Sequence, residues 1–268
     1  MPVFKRKNLF GKPIEKLDVV NKVINVSRIS FKKDKNNTLI KLGSGKIGDV
    51  YLGTVYFKYG TKRQVAIKKY KYDISKDIPL YNKIISDLSS IKLPKDPKYP
   101  NRKETTLLPK MCFLKIKNKS GVEECVQITP AYIKNGKSKF LSNNEFLGFN
   151  EKEMVWILSE IAKKGYDPYD LVAQFKNNES LIPIDLDILV ETYKHKGLLK
   201  GEEKINNLLY SLAKVSEIGL FGGFGDLYTY NKMCDILIQM NPSYKKIINK
   251  NRKSVFNKNK EDLINSSF

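Results

Sequence analysis

Between Thr38 and Lys71 apolar and polar residues alternate, and glycine-containing turns interrupt the alternation. A period of two is the mark of half-buried strands, so the stretch reads as an antiparallel meander. It has a first strand, a glycine turn, a second strand, the hairpin tip Tyr59-Gly60-Thr61-Lys62 and a third strand from Gln64 to Lys69. Asp77 and Pro79 then stand where a helix cap and first turn belong, and Leu80, Ile84, Leu88 and Ile91 recur at helical spacing.

The segment Leu93 to Lys103 (LPKDPKYPNRK) is too rich in proline for a regular element and is expected to be an exposed loop. Beyond it, Lys110 to Lys117 and Glu124 to Tyr132 read as two more strands around the turn Asn118-Lys119-Ser120-Gly121, making five. From Glu151 the period changes to helical. Met154, Ile157, Ile161 and Ala162 share one face of a helix that stops at Gly165 and Pro168. Further apolar stretches at Ile205 to Leu212 and Met233 to Met240 make the second half mostly helical. The fold class is therefore α+β. Tyr244 to Lys260 carries seven Lys or Arg with little apolar content and is expected to be a solvated or mobile arm.

The chain of 268 residues is 41% apolar, enough for a real core, so a disordered chain is excluded. Its net charge of +21 calls for acidic partners or nucleic acid to be considered. Only five of the 49 basic residues are Arg, however, and Asn is abundant. A codon bias gives that pattern with no ligand, and bidentate phosphate or base contacts favour Arg. Nonspecific contact with nucleic acid or another polyanion through the lysine surface stays open beside that explanation. Cys112, Cys125 and Cys234 are too few and scattered for a disulfide framework, and with the single His195 they exclude a conventional zinc site. No apolar run is long enough to cross a membrane, and the residues MPVFKRKNLFGK lack the apolar stretch of a signal peptide. The expectation is a soluble, intracellular, cytoplasmic chain.

The sharpest motif is Leu42-Gly43-Ser44-Gly45-Lys46-Ile47-Gly48-Asp49-Val50, followed one hairpin later by Val65-Ala66-Ile67-Lys68. The glycines lie between two strands rather than between a strand and a helix, which argues against a dinucleotide fingerprint. Ile47 after Lys46 excludes a P-loop, which needs Ser or Thr there.

These two motifs together resemble the small lobe of the protein kinase family, whose signature is G-x-G-x-x-G-x-V and then V-A-I-K. The resemblance implies a two-lobed kinase-like fold: an extension over 1–34, a small lobe of five antiparallel strands and one helix over 35–133, a shortened, mostly α large lobe over 134–243, and a basic tail over 244–268. It implies ATP and Mg2+ as cofactors and transfer of the γ-phosphate to Ser or Thr hydroxyls. The glycines would let the backbone approach the triphosphate, Val50 would pack on the base, Lys68 would meet the α/β-phosphates, and Ala66 would also belong to the nucleotide site. Backbone groups from about Thr129 to Ala131 would bond the adenine.

The family holds its lysine by a glutamate on the next helix, but no Glu occurs between Lys68 and Glu104. Asp87 falls near the expected place and is the residue the resemblance offers; as a bare sequence feature it is also an ordinary helix-surface acid. In Gly165-Tyr166-Asp167-Pro168-Tyr169-Asp170-Leu171 the last two residues match the family's catalytic Asp and the following Leu. Pro168 and Tyr169 replace His and Arg, and Phe175 stands at the metal-binding Asn. D-F-G is replaced by Asp187-Ile188-Leu189, with Asp185 as a rival metal ligand. The segment Gly219 to Asp226 holds Phe-Gly-Asp in reversed order, which reads as a tight turn. Two alternatives accompany the kinase: a pseudokinase that binds nucleotide with little turnover, and a basic scaffold.

Overall fold

The computed structural model describes residues 14–19, 26–92, 106–117, 120–134, 137–138, 151–168, 172–174, 181–183, 186–218 and 227–266. It is a mixed α+β structure in two compact units. The first comprises residues 1–79 and 110–138, the second residues 80–109 and 139–268.

The first unit is built on seven antiparallel strands: β1 (Ile14–Val19), β2 (Val26–Lys32), β3 (Lys41–Ser44), β4 (Gly48–Phe57), β5 (Lys62–Tyr70), β6 (Cys112–Lys117) and β7 (Glu123–Pro130). Five of these are the strands the alternation pattern marks. The other two, β1 and β2, lie in the stretch read as an extension. They correct the five-strand expectation and change the sheet's form. β2 pairs with β1 and β4, β1 with β6, β6 with β7, β7 with β5, and β5 with β4. The pairings return on themselves, so the sheet curls into a ring and β3 attaches alongside. The ladder of β4 is shared on one side: β3 pairs with its residues 49–51 and β2 with residues 53–57.

One face of this sheet carries the core. Ile29, Phe31, Val55, Ile67, Leu114, Ile116, Val126 and Ile128 are buried together, with Tyr51 and Leu39 packed against them. A short hairpin of β8 (Ile133–Lys134) and β9 (Lys137–Ser138) follows β7.

The second unit contains α1 (Ile78–Ser89, from Leu80 onward), α2 (Glu151–Lys163), α3 (Asp187–Lys196), α4 (Gly201–Ile218), α5 (Leu227–Met240) and α6 (Lys245–Ser266). A two-stranded ladder of β10 (Val172–Gln174) and β11 (Leu181–Pro183) belongs to it as well. α2 buries Met154, Val155, Ile157, Leu158, Ile161 and Ala162, the face its periodicity marks. It ends where Gly165 takes φ +85°, a left-handed conformation that leaves its N–H bonded to Ala162 O at 2.8 Å.

α6 corrects the mobile-arm expectation. Ile248, Phe256 and Asn259 are buried, and the Phe256 ring lies 5.1 Å from that of Tyr230. Asn251 donates to Glu202 Oε1 (2.7 Å) and Asn206 Oδ1 (2.8 Å), and Arg252 meets Asp235 at 3.2 Å. These polar ties replace the apolar stripe that a sequence reading looks for. No helix among the described residues is long and apolar enough to cross a membrane.

Candidate functional site

The glycine motif is the β3–β4 hairpin. Gly45 N–H donates to Gly48 O at 2.9 Å and closes the turn, while Lys71 binds it from the end of β5, N–H to Ile47 O (2.9 Å) and Nζ to Gly45 O (2.8 Å). Ser44 Oγ donates to Asp49 Oδ1 at 2.5 Å, and Lys41 Nζ is 2.9 Å from the same oxygen. Those two contacts, the serine's first, hold the Asp49 carboxyl below the ordinary carboxylate range. Leu42, Ile47, Asp49 and Val50 are partly buried, whereas Gly43, Ser44, Gly45 and Lys46 are exposed.

The three glycines are not equivalent. A Cβ on Gly48 would stand 2.5 Å from Lys69 O, so the closeness of β5 itself demands glycine. A Cβ on Gly43 would meet nothing within 4 Å, and one on Gly45 only Gly48 O at 3.7 Å. Packing among the described residues does not explain why these two lack a side chain.

Register sets what lies beside the hairpin. Gly43 pairs with Val50, Val50 with Lys68, Lys68 with Gln127, and Gln127 with Phe113. Directly paired residues of an antiparallel sheet project to the same face. Val50, Lys68, Gln127 and Phe113 therefore line one face, opposite to the core residues Ile67 and Ile128 that alternate with them. Ala66 is two residues from Lys68 on that face and pairs with Thr129. Gly43 and Lys68 are two strand spacings apart, roughly 10 Å.

Other lysines near the hairpin meet oxygen atoms. Lys69 lies 2.8 Å from Glu124 Oε2, and Lys41 and Lys71 have the partners given above. Lys68 Nζ lies over the Tyr70 ring, 5.5 Å from its centroid. Tyr70 OH donates to Gln127 Oε1 at 3.1 Å, Gln127 Nε2 donates to Met111 Sδ at 3.4 Å, and the Tyr70 ring stacks on Phe113.

Two acids singled out by sequence lie in the helical unit. Asp87 Oδ2 accepts a hydrogen bond from Tyr166 OH at 2.5 Å. Burial, and next this bond, push the Tyr166 hydroxyl well above its ordinary pKa. Asp187 opens α3; it is 3% exposed and accepts from Tyr81 OH at 2.6 Å. Asp170, Asp185, Leu171, Phe175 and the segment 219–226 lie outside the described residues. Among the described residues no group of three or more His, Cys, Asp or Glu side chains is placed to hold a metal ion. Sequence reasoning missed Tyr70, Gln127 and Met111, whose signal is only their register with Lys68. No protein-family model and no curated protein matches this chain.

Proposed function

We propose that the chain is a divergent, protein-kinase-like nucleotide-binding protein that takes ATP against the β3–β4 hairpin and the face of β5. The observation that carries the reading is the row Gly43, Val50, Lys68. A backbone free of side chains, an apolar residue and a cation stand side by side across three strands. Such a row suits phosphates approached closely by main chain and by one positive charge, with Val50 and Ala66 offering apolar surface to a base. The bare backbone at Gly43 and Gly45, which packing among the described residues does not require, supports the same reading.

Transfer of the γ-phosphate rests on the sequence resemblance, with Asp170 as base and Asp187 or Asp185 on magnesium. Binding with little turnover is favoured by one observation: Asp187 is buried and already holds a hydrogen bond from Tyr81, so it is not an open carboxylate. Magnesium, where bound, would supply charge stabilisation to the phosphates.

Thermal unfolding of wild type and Lys68→Met with and without Mg-ATP tests the binding. A ligand taken only by the folded state stabilises by about 2.7 kcal/mol at a concentration 100 times its dissociation constant. The expected result is a rise in Tm for wild type that is lost in the variant. No response in either protein overturns the reading and turns attention to the lysine-rich surface as a polyanion scaffold. Phosphate transfer by wild type against Asp170→Asn then separates kinase from pseudokinase.

A further inference from the structure

Lysine is common throughout this chain, so the arginines mark sites better than the lysines do. Of the three Arg among the described residues, Arg252 meets Asp235, and the other two, Arg28 and Arg63, both lie at the β4–β5 hairpin. Arg28 pairs with Tyr56 on β4, and Arg63 follows Lys62 at the start of β5. This hairpin is at the opposite end of β4 from the glycine turn, roughly 30 Å away at about 3.3 Å per residue. It belongs to the first unit and takes no part in the nucleotide reading.

We propose that the tip of the β4–β5 hairpin is a binding surface for single-stranded nucleic acid, with Tyr59 stacking on a base and Arg28, Lys58, Lys62 and Arg63 meeting the phosphates. Tyr59 is 82% exposed, and the turn that presents it is fixed. Phe57 N–H donates to Thr61 O at 2.9 Å, Gly60 N–H donates to Phe57 O at 3.1 Å, and Gly60 takes φ +80°. Behind the tip, Arg28, Tyr56 and Lys62 are directly paired across β2, β4 and β5 and so share the face opposite to the core residues Ile29 and Val55. The Arg28 guanidinium carbon lies 4.2 Å from the centroid of the Tyr56 ring, and cation–π attraction at that distance holds its donors in place. Lys58, Lys62 and Arg63 are exposed, and no Asp or Glu occurs between Asp49 and Asp73. Asp18, the register partner of Arg28 on β1, ends the row. A single exposed aromatic is ordinary on a protein surface, but a ring held rigidly among cations offers a stacking platform beside a positive track for phosphates. A duplex keeps its bases stacked on one another, so the ring suits a single strand.

The test titrates the full chain into a labelled oligouridine and follows fluorescence anisotropy at several salt concentrations. Wild type binds, and log affinity falls linearly with log salt. Tyr59→Ala binds about 5- to 100-fold more weakly with the salt slope kept, the loss of one base stack, and Tyr59→Phe stays within about twofold of wild type. Lys58→Gln/Lys62→Gln makes the slope shallower by about 1.4, two cations at about 0.7 each. Lys246→Gln/Lys253→Gln removes two exposed charges from α6 and leaves the slope unchanged. Equal affinity in wild type and Tyr59→Ala overturns the proposal, as does an equal loss of slope from the α6 pair, which would mean a diffuse lysine surface. Wild type that binds polyglutamate as tightly as oligouridine also overturns it, since an acidic protein segment would then fit as well. Ultraviolet crosslinking of wild type keeps the proposal testable where a variant fails to fold. The bound strand should mark residues 58–63; crosslinks confined to other segments, or no binding of oligouridine by wild type, overturn it.

Discussion

Tyr166 OH donates a 2.5 Å hydrogen bond to Asp87 Oδ2, tying the residue just past the end of α2 to α1. The acid that sequence offers as a lysine partner thereby fastens α1 within the helical unit. A hydrogen bond to a charged group contributes about 1.5–3 kcal/mol. Tyr166→Phe keeps the buried ring and should destabilise by that amount, read as a lower urea midpoint with an unchanged slope.

Tyr81 and Asp187 repeat the arrangement at greater depth, since both residues are buried. Tyr81→Phe removes a donor from a carboxylate that water reaches poorly, a loss of at least about 1–3 kcal/mol. Denaturant unfolding should show that loss as a lower midpoint with an unchanged slope. An unchanged midpoint would mean that this hydrogen bond adds nothing to stability.

The hairpin glycines should separate folding from binding. Gly48→Ala forces a Cβ against Lys69 O and should cost about 1–3 kcal/mol. Gly43→Ala meets no atom within 4 Å and should leave stability unchanged or raise it by about 0.4–1 kcal/mol through the unfolded state. If phosphate approaches that backbone, Gly43→Ala weakens Mg-ATP binding despite the intact fold, as calorimetric titration would show.

Burial pushes the Cys125 thiol up to about 11. Its folded-state value is raised, so its contribution to stability is full below the unfolded value and is lost as pH climbs from about 9 towards 11. Wild type should therefore lose stability relative to Cys125→Ala across that interval. The thiolate is the reactive form, so alkylation of Cys125 at pH 8 should run about 100-fold slower than in the unfolded chain.

Phe256 reports on the basic C-terminal segment. Its ring is buried against Tyr230, so Phe256→Ala should destabilise by about 3 kcal/mol, measured by thermal or urea unfolding. A mobile arm would show no change.

The parts of the fold that were legible in sequence are those where one physical signal acts alone. β4 and β5 alternate cleanly around a tip where Gly60 takes φ +80°, and α2 carries an unbroken apolar face up to Gly165. β2 escaped because its register with β4 shifts between Val26 and Arg28, which puts two residues of one strand against one of the other and breaks the period of two. α6 escaped because few apolar residues bury it, and hydrogen bonds from Asn251, and from Tyr210 to Asp262, do the rest. In the candidate site, the glycines and Lys68 carry a motif. Tyr70, Gln127 and Met111 do not, since what joins them is strand pairing over 57 residues of sequence.

Amide hydrogen exchange with and without Mg-ATP, resolved by peptide, tests the central claim most directly because it reports both binding and place. The account predicts slowed exchange over residues 42–50 and 65–70 on adding Mg-ATP, no change over α4 and α6, and loss of the effect in Lys68→Met. Unchanged exchange at the hairpin, or protection confined to the helical unit, would contradict it.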